Sequence, residues 1–313
     1  MGLMRSVLLW ASRSPSLRST LPRYAFLRRA VRRFMPGEEL ADALQAAAAL
    51  KGEGIGSVLT YLGENIARES EAEAVVQRYR EALARVHERG LDCHVSVKLT
   101  QLGYDISRTI CLANLDRIVA QAAALGNFVW IDMEGSAYTE GTIEIFRQTR
   151  RSHANLGLCL QSYLFRTAAD VEALTPLAPH IRLVKGTYAE PPDVALRRKR
   201  DNDANYLTLA RRLLERTGDA SVRPAFATHD EKMLQSIRRM ADELRVPPDT
   251  FEFQMLYGIR PDLQRRLARG GNRMRVLISY GTYWFPWYMR RLAERPANVL
   301  FVLKNIVRSS HPR

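Results

Sequence analysis

The segment Tyr288-Met289-Arg290-Arg291-Leu292-Ala293-Glu294-Arg295-Pro296 holds the densest chemistry in the chain. On a helix, Arg290 and Glu294 are four residues apart, and Arg291 and Glu294 are three apart. All three can therefore share one face. Trp284, Phe285, Trp287 and Tyr288 surround them. Paired guanidiniums in an aromatic setting suit a carboxylate, because each planar fork bonds two oxygens at once. A plain surface ion pair is the alternative, worth about 0.3–0.5 kcal/mol.

Further candidates end short apolar runs. Lys98 and Lys185 suit a Schiff-base nucleophile, an ion pair with an acid such as Glu294, an anchor for an anionic cofactor, or a lysine reaching the rim. Asp132 and Glu134, two residues apart, suit metal binding, acid–base work, or pairing with a nearby cation. Gln161, Gln254 and His229 offer hydrogen bonds to a polar heterocycle without proton transfer. His229-Asp230 also reads as a helix N-cap. Gly52, Gly54 and Gly56 do not fit the Rossmann spacing.

These residues need elements to hold them. Eight β-branched or apolar runs fall at 58–61, 95–99, 129–132, 158–161, 182–185, 225–229, 251–254 and 276–279. Helical stretches separate them, and nearly every run ends in a polar or charged residue. Strand then helix, eight times with short connections, predicts an α/β protein. The favoured form is a (β/α)8 TIM-type barrel with extra N-terminal helices, because such a barrel presents the C-terminal strand ends to its active site. An open doubly wound sheet is also compatible with alternation alone. Residues 1–50 read as a helical segment and 51–313 as the barrel domain.

Local signals place the helices. Ser70 with Glu73, and Thr167 with Asp170, have capping-box spacing. Gly90 and Gly126 stop helices. Residues 193–217 read as one long charged helix whose run 197–200 (RRKR) is a solvated face. Pro261 and Pro296 mark helix starts.

Composition narrows the class. Of 313 residues, 46% are hydrophobic, enough for one large core, yet no apolar run approaches the length of a membrane span. Cys93, Cys111 and Cys159 form no metal-type pair, which points to a reducing compartment and away from structural zinc. The net charge of +14 attracts anionic partners. No acidic residue precedes Glu38, while eight arginines do. That start suits a transit peptide or an amphipathic helix lying on a membrane surface. A nucleic-acid-binding reading ranks last, since no such motif occurs.

Taken together, VSVKL at 95–99, IDME at 131–134, LQSYL at 160–164, RLVKGTY at 182–188, ATHD at 227–230, FEFQMLYG at 251–258 and YMRRLAERP at 288–296 resemble the proline dehydrogenase (proline oxidase) family, monofunctional bacterial type. The likeness spans roughly residues 40–308. It implies a (β/α)8 barrel that binds FAD without a Rossmann fold and oxidises L-proline to Δ1-pyrroline-5-carboxylate. A hydride would pass to flavin N5, and a membrane quinone would reoxidise the flavin. By matching position, Arg290 and Arg291 would clamp the substrate carboxylate, and Lys98 with Glu294 would form a closing ion pair. Asp132, Tyr188 and Leu256 would shape the pocket. Gln161, Arg182, Lys185, Gly186, His229 and Gln254 would hold FAD. A cytoplasmic protein, peripheral on the inner face of the cell membrane, is implied. One departure stands out. The family tyrosine that lies against the substrate ring is matched here by Leu277, which admits hydroxyproline or another cyclic secondary amino acid as substrate. A Schiff-base lyase on the same barrel, using Lys98 or Lys185, is the alternative of a different class.

Overall fold

The computed structural model describes residues 31–63, 66–217 and 222–294, with side chains to residue 289. Eight parallel strands close into a barrel in chain order, β1 (Gly56–Tyr61), β2 (Cys93–Val97), β3 (Val129–Ile131), β4 (Leu156–Gln161), β5 (His180–Val184), β6 (Arg223–Ala227), β7 (Glu252–Leu256) and β8 (Arg273–Tyr280). The seam is a long one: β1 and β8 pair from Gly56↔Arg275 to Tyr61↔Tyr280. The barrel chosen over the open sheet is thus the fold observed.

Alternation along the strands divides the interior in two. Leu59, Val95, Val97, Ile131, Leu158, Leu160, Ile181, Leu183, Val276 and Ile278 face outward and are buried in the main core with the helices. Val58, Trp130, Ala225 and Leu277 form a smaller cluster inside the barrel. The polar lumen positions Ser96, Gln161, Arg182, Gln254 and Arg275 are also buried. A packed core needs no arginine in the lumen, so these positions have a role besides packing.

α1 (Leu40–Gly52) buries Ala43, Leu44 and Ala47 in the main core and packs on β1 and β8. The described part of the N-terminal segment is therefore built into the barrel wall. The arginine-rich stretch before residue 31 and Pro296 lie outside the described residues. The first six helices that return the chain between strands are α2 (Glu69–Glu88), α3 (Arg108–Ala124), α4 (Ser136–Arg150), α5 (Thr167–Leu174), α6 (Lys199–Thr217) and α7 (Glu231–Glu243). α8 (Pro261–Arg269) and α9 (Trp284–Glu294) follow the last two strands. α2 shows why such segments are helical. Ala72, Val75, Val76, Tyr79, Leu83 and Val86 recur at three- and four-residue spacing and are buried together.

Several local expectations need correction. Neither capping box forms. α2 starts at Glu69, so Ser70 lies inside its first turn, and Glu73 instead accepts from Gln77 and Arg117. Thr167 donates its hydroxyl to the Gln161 carbonyl at 2.6 Å, while Asp170 pairs with Arg166. The long helix begins at Lys199 rather than residue 193, because the preceding residues zip onto the loop after β4. Leu164 and Ala195 form an antiparallel bridge there, and Leu196 N–H donates to the Tyr163 carbonyl at 2.7 Å. Gly90 and Gly126 do end helices, with φ of 56° and 63°, Pro261 does start one, and Asp230 caps α7 by accepting from Lys232 N–H.

Candidate active site

The charged residues gather where β2, β3 and β5 end. Lys98 lies one residue past β2 and Asp132 one past β3. The register pairing Val97 with Ile131 sets them side by side. Lys98 Nζ stands 2.9 Å from Asp132 Oδ2. Asp132 Oδ1 accepts from Ser96 Oγ and from Arg182 Nη1, both at 2.8 Å. Arg182, only 3% exposed, also donates to Ser96 Oγ at 3.1 Å. Its guanidinium lies 4.6 Å from the Trp130 ring centroid, a cation–π contact. One carboxylate after β3 thus orders two cations, one from the end of β2 and one from β5.

Burial works against both charges of the Lys98–Asp132 pair, but their mutual field overrides it. The Lys98 ammonium is held above its ordinary range by Asp132, with Tyr188 and Glu134 adding to the effect. The Asp132 carboxyl is held below its ordinary range by Lys98 and Arg182. Both stay ionised across the neutral range. Lys98 is consequently a poor Schiff-base nucleophile, since that chemistry needs a neutral amine.

Asp132 and Glu134 do not act as a pair. Buried Glu134 accepts from the Thr100 N–H at 3.2 Å and its hydroxyl at 2.8 Å, and so anchors the turn after β2. Lys185 binds Asp203 of α6 at 2.6 Å, while Asn202 donates to the Lys185 carbonyl. Next to it, Gly186 has φ 93°, and a Cβ there would stand 2.3 Å from the Tyr163 ring. Only glycine fits. The Tyr163 hydroxyl reaches Glu190 at 3.1 Å.

On the other side of the mouth, His229 Nε2 accepts from the Leu256 N–H at 2.9 Å. Leu256 pairs in register with Leu277, and both are half-buried. Gln254 is turned down the barrel, its amide donating to Glu252. Gln161 donates to the Met133 carbonyl at 3.3 Å. α9 carries Arg290, Arg291 and Glu294 in its last two turns, and their side chains lie outside the described residues. Among the described residues, the ion pair of Lys98 is with Asp132.

The buried atoms near this mouth that have no hydrogen-bond partner include Gln161 Oε1, Arg182 Nε and Arg182 Nη2. Each such group costs about 1–3 kcal/mol if left dry. An acceptor on β4 and two donors on β5 fit the edge of a polar heterocycle.

Ser96, Trp130 and Asp203 were missed in the sequence. Ser96 and Trp130 sit on the lumen side of their strands, two residues before Lys98 and Asp132. Period-two alternation counted back from Lys98 and Asp132 marks both positions.

A closed parallel barrel with polar groups converging on its C-terminal mouth defines a TIM-barrel enzyme. A family model described as proline dehydrogenase matches residues 43–304. Proline dehydrogenase 1 of Bacillus subtilis subsp. natto is 39% identical over 306 residues, 98% of this chain and 100% of that protein. Proline dehydrogenase of Deinococcus radiodurans is 37% identical over 88% of this chain and 89% of its own length. The chain belongs to the proline dehydrogenase family. Among solved structures, proline utilization A (PutA) from Bdellovibrio bacteriovorus inactivated by N-propargylglycine matches with a TM-score of 0.81 at 25% identity, covering 93% of this chain and 36% of that one.

Proposed function

We propose that this chain oxidises L-proline to Δ1-pyrroline-5-carboxylate with bound FAD, and that the electrons pass to a membrane quinone. The observation that carries this reading is the set of unsatisfied atoms on Gln161 and Arg182 beside the locked Lys98–Asp132 pair, in a chain of this family. Bound FAD would supply the hydride acceptor for the ring carbon beside the proline nitrogen, and a quinone would take the two electrons onward.

The protein's part is binding and orientation. Gln161 and Arg182 would meet the flavin's polar edge through their free atoms. Lys185, His229 and Gln254 would hold other parts of the cofactor, and the bare backbone at Gly186 would let it approach closely. Arg182 adds a fixed positive charge, which favours negative charge gained on reduction. Arg290 and Arg291 would grip the substrate carboxylate from α9. That two-point grip sets the donor C–H in line, and alignment alone is worth several kcal/mol of barrier. Tyr188, Leu256 and Leu277 would wall the ring, and Glu294 would help close the site. Asp132 remains an anion held by two cations, so it shapes and charges the pocket rather than carrying a proton. The substrate nitrogen sheds its proton to solvent before transfer.

Leu277 supports a second substrate reading. It keeps an apolar wall but lacks the ring and hydroxyl of the family tyrosine, so a ring-substituted proline such as hydroxyproline would fit. The basic charge and the arginine-rich start support a cytoplasmic enzyme docked on the inner face of an anionic membrane.

The test is proline-dependent reduction of a soluble quinone by the FAD-loaded protein, with the product imine trapped by an aminobenzaldehyde. Absence of both signals from a folded, FAD-loaded preparation would contradict the reading.

A further inference from the structure

The opposite, N-terminal end of the barrel holds a cavity of about 170 Å³. Its walls are aromatic. Phe128, Trp130 and Phe251 line it with the imidazoles of His94 and His180. The Phe128 centroid is 5.2 Å from that of His94 and 4.7 Å from that of His180. Nothing in the reaction proposed above uses this end.

The charges around it are unbalanced. Arg223 and Arg273 stand exposed at the rim, and neither forms an ion pair among the described residues. Arg273 donates only to the Asp249 carbonyl, at 3.0 Å. The one lining carboxylate, Glu252, is taken by Arg275 at 3.3 Å and by the Gln254 amide. Burial and the nearby guanidiniums of Arg150, Arg223 and Arg273 push the His180 imidazole down to about 4, so it is neutral and adds no charge. The result is an aromatic box under two rim arginines whose one lining carboxylate is already engaged elsewhere.

Size narrows the ligand further. A dry cavity of about 150 Å³ admits one benzene ring. A cavity of about 170 Å³ leaves room for one ring with one small substituent. An ammonium-bearing ring would meet two guanidiniums, while a carboxylate would pair with them bidentately.

We propose that this end of the barrel binds a small aromatic monocarboxylate, its ring against Phe128, Trp130 and His180 and its carboxylate between Arg223 and Arg273. Trp130 is common to both ends. Its Nε1–H donates to His94 Nδ1 at 3.3 Å, and the Arg182 guanidinium rests on its ring. The indole also needs Gly157 beside it, where a Cβ would stand 2.6 Å from the six-membered ring. A ligand here therefore touches the side chain on which Arg182 lies.

Equilibrium dialysis of radiolabelled benzoate against the full-length, FAD-loaded protein tests this. One benzoate per chain is expected. Arg223→Glu with Arg273→Glu should weaken it about tenfold or more, as should replacing benzoate with uncharged benzamide. Arg290→Ala with Arg291→Ala should leave it unchanged. Both rim arginines are exposed, and an unchanged circular dichroism spectrum is the check that the reversed protein folds. Absence of saturable binding, or binding that survives the rim reversal, overturns the proposal, as does benzamide binding equally well. Binding abolished by the Arg290 and Arg291 change overturns it too, because the site is then the substrate clamp. The readout is binding and not turnover, so it stands or falls independently of the proline reaction.

Discussion

Asp132 spans two cations: one oxygen lies 2.9 Å from Lys98 Nζ and the other 2.8 Å from Arg182 Nη1. The three side chains come from adjacent or near-adjacent strands and are all largely buried. Removing the carboxylate leaves two like charges facing each other out of water. Asp132→Ala should cost about 3–5 kcal/mol of stability, measured by urea unfolding. Asp132→Asn keeps the shape and hydrogen bonds but not the charge, and should lose less. Equal losses in the two variants would mean that packing, not charge, dominates here.

The same pair sets a flat pH response. The Asp132 contribution is complete above its unfolded value and fades only as pH falls through its lowered native one. The Lys98 contribution is complete below its unfolded value and fades only as pH rises through its raised native one. Neither group should therefore appear in a rate profile between about pH 5 and 9. Borohydride added with L-proline in that range should label no lysine, because Lys98 stays protonated and Lys185 is tied to Asp203. A labelled lysine found by mass spectrometry would revive the lyase alternative.

Acid should act through the other end of the barrel. His180 is depressed from its usual 6.5 to about 4, and buried His94 is depressed well below the usual value. The unfolded chain binds these protons first, so stability falls as pH drops from about 6.5 toward 4. His180→Gln should flatten that slope by one proton, about 1.4 kcal/mol per pH unit. Urea midpoints measured across the range check it, and an unchanged slope would place the acid lability elsewhere.

Leu277 should govern substrate choice more than cofactor retention. It is half-buried on β8, opposite Leu256, and packs in the lumen cluster with Trp130. Leu277→Tyr should shift the ratio of kcat/KM for proline over hydroxyproline by about tenfold, with FAD content unchanged. An unchanged ratio would remove Leu277 from the pocket.

The barrel itself was legible because its strands are short, apolar and regularly spaced, and because polar residues ended them. Lys98 and Asp132 were found that way, whereas Arg182 opens its run and was marked only by the family resemblance. Their mutual pairing was not, since it depends on register between strands dozens of residues apart. Lys98 illustrates the limit: register sets Asp132 of the next strand beside it, at 2.9 Å, while the side chain of Glu294 lies outside the described residues. Caps were misread for a related reason. Thr167 and Ser70 have the right local spacing, but the Gln161 carbonyl and the earlier start of α2 assign them other work. The contacts of Trp130 with His94 and Arg182 follow from the barrel's closure and leave no trace in any single window.

The proposed grip of Arg290 and Arg291 on the substrate carboxylate predicts a kinetic signature. Arg290→Ala with Arg291→Ala should raise KM for L-proline about 100-fold or more while FAD stays bound. A small change in KM would remove α9 from carboxylate recognition.

The most direct measurement is anaerobic addition of L-proline to the purified, FAD-loaded protein while its visible absorbance is followed. The yellow colour should bleach with saturating dependence on proline and return when a quinone is added. A protein that takes up no FAD, or whose colour is indifferent to proline, would contradict the assignment of this barrel to proline oxidation.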